Sequence, residues 1–141
     1  MSHELELEIA LPCSPAAAFR AWTDGAEILR WWGEDGVYRT IDWEADLQPG
    51  GRWLATFEGD GATFTAQGEY LAVSAPDRLD WTWSADWAPG AVSTIAMTFS
   101  ASPEGTRLRL RNFGFETARE AEESKEGWDQ ILGWLTAYLT H

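Results

Sequence analysis

AREAEESKEGWDQILGWLTAYL, residues 118–139, sets Trp128, Ile131, Leu132, Leu135, Tyr138 and Leu139 at spacings of three and four. On a helix of about 3.6 residues per turn, these side chains form one apolar stripe. Such a stripe needs a surface to cover. The segment from Thr40 to Phe113 offers one, because it reads as short strands parted by turn residues every eight to twelve positions, the pattern of an antiparallel sheet. The expected fold is therefore α+β: a curved antiparallel sheet of about seven strands with a long C-terminal helix packed over it. Function is to be sought in the space between them. Gly127 and Gly133 inside this helix each cost about 1 kcal/mol relative to Ala, so either close packing or a bend requires them, or they are simply tolerated.

At the other end of the chain, Glu4 to Leu11 alternates strictly, with Leu5, Leu7, Ile9 and Leu11 on one face and Glu4, Glu6 and Glu8 on the other. That is a half-buried strand. Thr106 to Phe113 repeats the pattern with Arg107, Arg109 and Arg111 on its polar face. The matching period and opposite charge predict that the first and last strands pair. After the first strand, Ser14-Pro15 is an N-cap followed by a first-turn proline, which opens a short helix through Phe19 and Trp22. Asp24 with Glu27 three residues on resembles a capping box and opens a second short helix, ending near Trp31-Trp32-Gly33.

Between these ends, the strands read Ile41–Leu47, Arg52–Glu58, Thr63–Val73, Leu79–Ser84 and Val92–Ser100. Gly50-Gly51, Gly59-Asp60-Gly61 and Trp87-Ala88-Pro89-Gly90 supply turns. In Thr63–Val73 the large residues change parity, which predicts a bulge near Gly68 and leaves the inward face of that strand open.

The length of 141 residues fits a single domain over the whole chain. Ten Trp, six Phe and three Tyr are more large aromatic side chains than a solid core of this size readily takes, so some are expected to line a cavity or an exposed face. A net charge of −13 repels phosphate backbones and anionic lipid, which argues against nucleic-acid and membrane partners. Cys13 is the one cysteine, so an intrachain disulfide is impossible. From Ser2 to Glu8 there is no basic segment followed by an apolar run, and no apolar stretch reaches the length of a membrane span, so the expected location is the cytoplasm.

The order of elements and several short motifs resemble the START-like (SRPBCC, helix-grip) superfamily. Within it the chain is similar to the family related to the C-terminal domain of the activator of heat-shock protein 90 ATPase. The resemblance is carried by Pro12, Ala16 and Phe19, by Trp31-Trp32-Gly33, and by Asp46-Leu47-Gln48-Pro49-Gly50-Gly51-Arg52-Trp53. Further along it continues in Pro76-Asp77-Arg78-Leu79, Gly105-Thr106-Arg107-Leu108 and Gly127-Trp128. It implies the helix-grip fold and an apolar or amphipathic ligand held between sheet and helix. A chaperone-regulating interaction module and a small cyclase- or hydrolase-like enzyme are the alternatives it leaves.

Parity and resemblance together place Trp32, Trp81, Trp83, Met97, Phe99, Trp128, Leu132 and Leu135 on the expected lining. Phe57, Phe64 and Phe113 join them, although their strands allow either face. Arg52 is the expected contact for a ligand carboxylate, and Glu69 is the best acid–base candidate if it faces inward. Asp80 is expected outside, opposite in parity to Trp81. His3 and His141 stand at the chain ends, Cys13 has no neighbouring base, and no metal-ligand spacing is present, so neither catalytic residues, metal nor cofactor are expected. The expected partner is a small hydrophobic or aromatic molecule. A protein partner would instead use an exposed aromatic patch around Trp22, Trp43 or Trp87.

Overall fold

The computed structural model describes residues 3–88 and 90–140. The readings that involve Ser2, Pro89 and His141 concern positions outside these. The elements run β1 (His3–Leu11), α1 (Pro15–Thr23), α2 (Gly25–Trp31), β2 (Gly33–Glu34), β3 (Tyr38–Ala45) and β4 (Arg52–Gly59). They continue with β5 (Ala62–Ser74), β6 (Arg78–Ala85), β7 (Val92–Ser102), β8 (Gly105–Phe115) and α3 (Ala118–Leu139). The curved antiparallel sheet expected from the sequence is present, with eight strands among the described residues, because the two-residue β2 adds to the expected seven an edge too short to show any alternation.

All neighbouring strands are antiparallel, in the order β1-β8-β7-β6-β5-β4-β3-β2. β1 pairs with β8 as its charges require, with Glu6 opposite Arg111 and Glu8 opposite Arg109. Arg107 reaches Glu8, Arg109 lies 3.3 Å from both Glu6 and Glu8, and Arg111 takes Glu4. The sheet curls, and α3 touches β1 and β8 near one edge and β2 near the other. One helix thus reaches from one edge of the sheet to the other.

Local chemistry sets the helix starts. Ser14 Oγ accepts from the Ala17 N–H at 3.2 Å with Pro15 in the first turn, and Asp24 Oδ1 accepts from the Ala26 N–H at 2.9 Å. Glu27 does not complete the capping box its spacing suggests. Its carboxylate takes Arg20 Nε at 3.1 Å and Tyr138 Oη at 2.9 Å, so it joins α1, α2 and α3. Gly127 and Gly133 lie on the exposed side of α3, and a Cβ on either would meet open space, so close packing does not require them.

Two irregularities redirect side chains. The bulge in β5 falls at Leu71, between Tyr70 and Ala72, not at Gly68. Gly68 serves close approach instead: a Cβ there would collide with the Thr82 carbonyl oxygen and lie 2.7 Å from Trp53 Nε1. In β8, Gly114 adopts φ 99°, a region glycine enters without strain, and the register shifts there. Phe115 is buried as a result, while Phe113 stays on the arginine face with the Arg111 guanidinium 4.4 Å from its ring centre.

Candidate functional site

Aromatic rings from the three helices, the strands β3 to β6 and the β6–β7 turn form one contiguous array that reaches α3 through Trp128 and Trp134. α1 contributes Trp22, the end of α2 Trp31 and Trp32, β3 Tyr38 and Trp43, and β4 Trp53 and Phe57. β5 adds Phe64, β6 Trp81 and Trp83, the β6–β7 turn Trp87, and α3 Trp128 and Trp134. Alternation explains the inward set: the strand period that buries Trp53, Ala55 and Phe57 exposes Arg52 and Glu58.

These rings touch in sequence from the interior to the surface. Trp22 lies 6.1 Å from Trp128 and 5.7 Å from Trp32, measured between ring centres. Trp32 stacks on Trp83 at 6.2 Å with 13° between planes. Trp83 meets Trp87 at 6.4 Å, and Trp87 stands edge-on to Phe64 at 5.2 Å and to Phe57 at 6.4 Å. Tyr38 is edge-on to Phe57, Phe64 and Trp134. Trp22 is buried, whereas Trp87 is 55% exposed, so the array has a closed end and an open one.

Polar groups within the array are unevenly satisfied. Trp31 Nε1 donates to the Ala21 carbonyl at 2.8 Å, Trp53 Nε1 to the Thr82 carbonyl at 3.0 Å, and Trp32 Nε1 to Tyr38 Oη at 3.2 Å. Trp134 Nε1 donates to the Glu34 carboxylate at 2.7 Å. Trp22 Nε1, Trp43 Nε1, Trp81 Nε1 and Tyr70 Oη are buried without a partner among the described residues. Such groups are uncommon in a finished core, since each forgoes a hydrogen bond that water would supply. Burial pushes the Tyr70 hydroxyl well above the ordinary tyrosine range.

Of the expected lining, Trp32, Phe57, Trp81, Met97, Phe99, Trp128, Leu132 and Leu135 are buried, and Phe64 and Trp83 are half-buried toward the open end. Phe113 lies on the opposite face for the reason given above. Arg52 and Glu69 face one another across β4 and β5, both exposed, on the side turned away from Trp53 and Tyr70. Neither reaches the rings. Asp80 is on the outer face as expected but is buried there, with Arg78 bound to its Oδ2. Cys13 is half-buried, and its thiol is pushed up by burial and then by the Glu27 charge, which disfavours the thiolate.

Two surface cavities accompany the array. One, of about 220 Å³, lies by the β2–β3 and β4–β5 turns and borders Glu34, Tyr38, Glu58 and Asp60. The other, of about 730 Å³, lies between the start of α1, Pro76–Arg78 and Thr98–Ala101, and Phe99 is the only expected lining residue that borders either. Tyr38 and Trp134 belong to the array but escape a reading by parity, whereas Trp53 shares the inward parity of Phe57 and is missing from the expected lining. Tyr38 follows a turn, and Trp134 lies beside the main stripe of α3. The one sequence signal for Tyr38 and Trp134 is the aromatic load itself. Among the described residues no helix is long and apolar enough to cross a membrane.

Comparison with known proteins places this geometry. The chain is similar to an AHSA1 protein from Silicibacter pomeroyi, with 27% identity over 98% of each chain and a TM-score of 0.85. An AHSA1-like protein from Aeromonas hydrophila shares 25% identity over 98% of this chain and 92% of its own, with a TM-score of 0.82. A Chromobacterium violaceum protein has the same fold at 24% identity, 96% coverage of both chains and a TM-score of 0.83. No curated protein matches. The family model described as activator of Hsp90 ATPase homolog 1-like protein matches residues 12–140, nearly the whole chain, and the protein belongs to that family.

Proposed function

We propose that the protein binds a small apolar or aromatic molecule among the rings between sheet and α3, with entry at Trp87. The observation that carries this reading is the unbroken series of ring contacts from exposed Trp87 through Trp83 and Trp32 to buried Trp22 and Trp128. A flat ligand replaces one ring contact by another at little cost, and each Å² of apolar surface it buries contributes about 25 cal/mol. Trp32, Phe57, Phe64, Trp81, Trp83, Met97, Phe99, Trp128, Leu132 and Leu135 form the proposed lining. Thermal unfolding against aromatic, fatty-acid and polyketide-like compounds tests it. A ligand at 100 times its Kd adds about 2.7 kcal/mol, a shift of several degrees that Trp87→Ala should reduce. A flat response across the panel counts against the reading.

A second reading is supported by the loop itself. Trp87 and Val92, 55% and 58% exposed, flank one turn and offer apolar surface to a protein partner, as a relative of a chaperone-ATPase activator would need. Stimulation of an Hsp90-type ATPase that is lost in Trp87→Ala would favour it.

A further inference from the structure

Three indoles and one phenol of the buried rings lack a hydrogen-bond partner among the described residues, and they stand together. The atoms are Nε1 of Trp22, Trp43 and Trp81 and Oη of Tyr70. Tyr70 and Trp81 are opposite one another across β5 and β6, and both are 1% exposed. Trp81 lies 6.4 Å from Trp22 and 5.1 Å from Trp53, which stacks on Trp43 at 5.2 Å. The adjoining indoles of Trp31, Trp32, Trp53 and Trp128 all donate to protein oxygens, so the deficit is confined to these four side chains.

An indole N–H donates and cannot accept, so Trp22, Trp43 and Trp81 cannot satisfy one another in any rotamer. Tyr70 Oη is the one atom of the four able to accept, and no indole reaches it. The group therefore presents donors and calls for an oxygen acceptor, because each buried donor forgoes a bond that water gives it in the unfolded chain. A negative charge is the wrong acceptor here. Burial drives the Tyr70 hydroxyl upward with no cation to offset it, so this interior penalises an anion, and a net charge of −13 repels one on approach. Trp83 lies 6.3 Å from Trp81 and 6.4 Å from exposed Trp87, so the donors begin two ring contacts in from the open end.

We propose that the ligand carries a neutral carbonyl oxygen, as aromatic ketones and quinones do, and that this oxygen accepts from Tyr70 Oη–H and Trp81 Nε1–H while the ring body lies along Trp83. The inference rests on the binding reading above and narrows it to one functional group at one place. It makes Tyr70, which is outside the expected lining, a specificity-determining residue.

The test titrates the intact protein with 1-indanone, with indane, which has a methylene in place of the carbonyl, and with the anion indane-1-carboxylate, following the indole N–H resonances. A merely apolar site takes indane more tightly, because burying an unpaired carbonyl is unfavourable. The expected result is the reverse, a Kd for 1-indanone about tenfold below that of indane. The Trp81 N–H resonance should move downfield with the ketone and not with indane, and the bound carbonyl should absorb at lower infrared frequency than in an alkane solvent. Tyr70→Phe keeps the ring, so it should leave the affinity for indane unchanged, remove most of the preference for the ketone and return the carbonyl band toward higher frequency. Indane bound as tightly as 1-indanone, tightest binding of the carboxylate, or an unchanged preference in Tyr70→Phe overturns the carbonyl inference and leaves the binding reading standing. If none of the three compounds, nor any member of the thermal panel, perturbs the protein, both fall.

Discussion

Trp128 Nε1 donates to Asn112 Oδ1 at 2.9 Å inside the core, and Asn112 Nδ2 donates in turn to Ser93 Oγ at 3.1 Å and to the Thr94 carbonyl at 2.8 Å. One buried amide therefore ties α3 to β7 and β8. Asn112→Leu takes away the partner of the buried indole N–H and of the buried Ser93 hydroxyl together, and each unpaired buried group costs about 1–3 kcal/mol. We expect a loss of about 2–4 kcal/mol, read as a lower urea midpoint with an unchanged m-value.

Trp128 itself fills the space beneath α3 against Trp22. Truncation to Ala removes most of a large buried ring and should cost about 3–5 kcal/mol. The variant should also lose the ligand-induced rise in Tm. Loss of that rise with stability intact would remove Trp128 from the core.

Glycines in this chain answer to opposite tests. Gly127→Ala and Gly133→Ala meet open space on an exposed helix face, so each should add about 0.5–1 kcal/mol and raise Tm by about 2–4 °C. Their effects should sum in the double variant. Gly68→Ala drives a methyl into the Thr82 carbonyl and the Trp53 indole, and should lower stability by about 2–3 kcal/mol. Calorimetry of the four proteins decides all three.

Alkaline pH should weaken the fold through its tyrosines. Burial raises Tyr70 and Tyr38, so both stay protonated in the folded chain after the unfolded chain has begun to ionise near pH 10. Above that pH the unfolded state binds fewer protons than the native one, and stability falls as pH rises. Below about pH 9 these two groups contribute no slope. Tyr70→Phe also removes an unpartnered buried hydroxyl, so it should leave stability near pH 7 unchanged or improved and flatten the decline between pH 9 and 11. Urea midpoints at these pH values check it.

Cys13 should behave as an unreactive thiol. Its raised pKa leaves little thiolate at neutral pH, so alkylation by iodoacetamide should be slower than for free cysteine and should keep accelerating above the pH where free cysteine levels off.

Much of this architecture is legible in the sequence because its signals are periodic and redundant. The stripe from Trp128 to Leu139 defines α3, and the matched two-residue repeats of Glu4, Glu6 and Glu8 with Arg107, Arg109 and Arg111 identify β1 and β8 as neighbours. Single residues that break a period are harder to interpret. Gly114 and Gly68 look alike in sequence, yet one bends a strand through positive φ and the other admits a neighbouring indole and carbonyl. Phe113 and Phe115 are separated by that bend, so parity alone cannot assign them. Glu27 has the spacing of a local cap, but Arg20 and the distant Tyr138 hold it instead. The aromatic load is plain in the sequence; which rings meet, and where they reach the surface, depends on the curl of the sheet.

The ring series from Trp22 to Trp87 also has an optical consequence. Indoles within about 6 Å of one another exchange excitation far faster than they emit, so light absorbed anywhere in the array drains toward its lowest-energy member, the solvent-facing Trp87. The emission spectrum of the whole protein is then governed by one residue at the open end. Trp87→Phe should shift that emission to the blue out of proportion to the loss of one chromophore in ten.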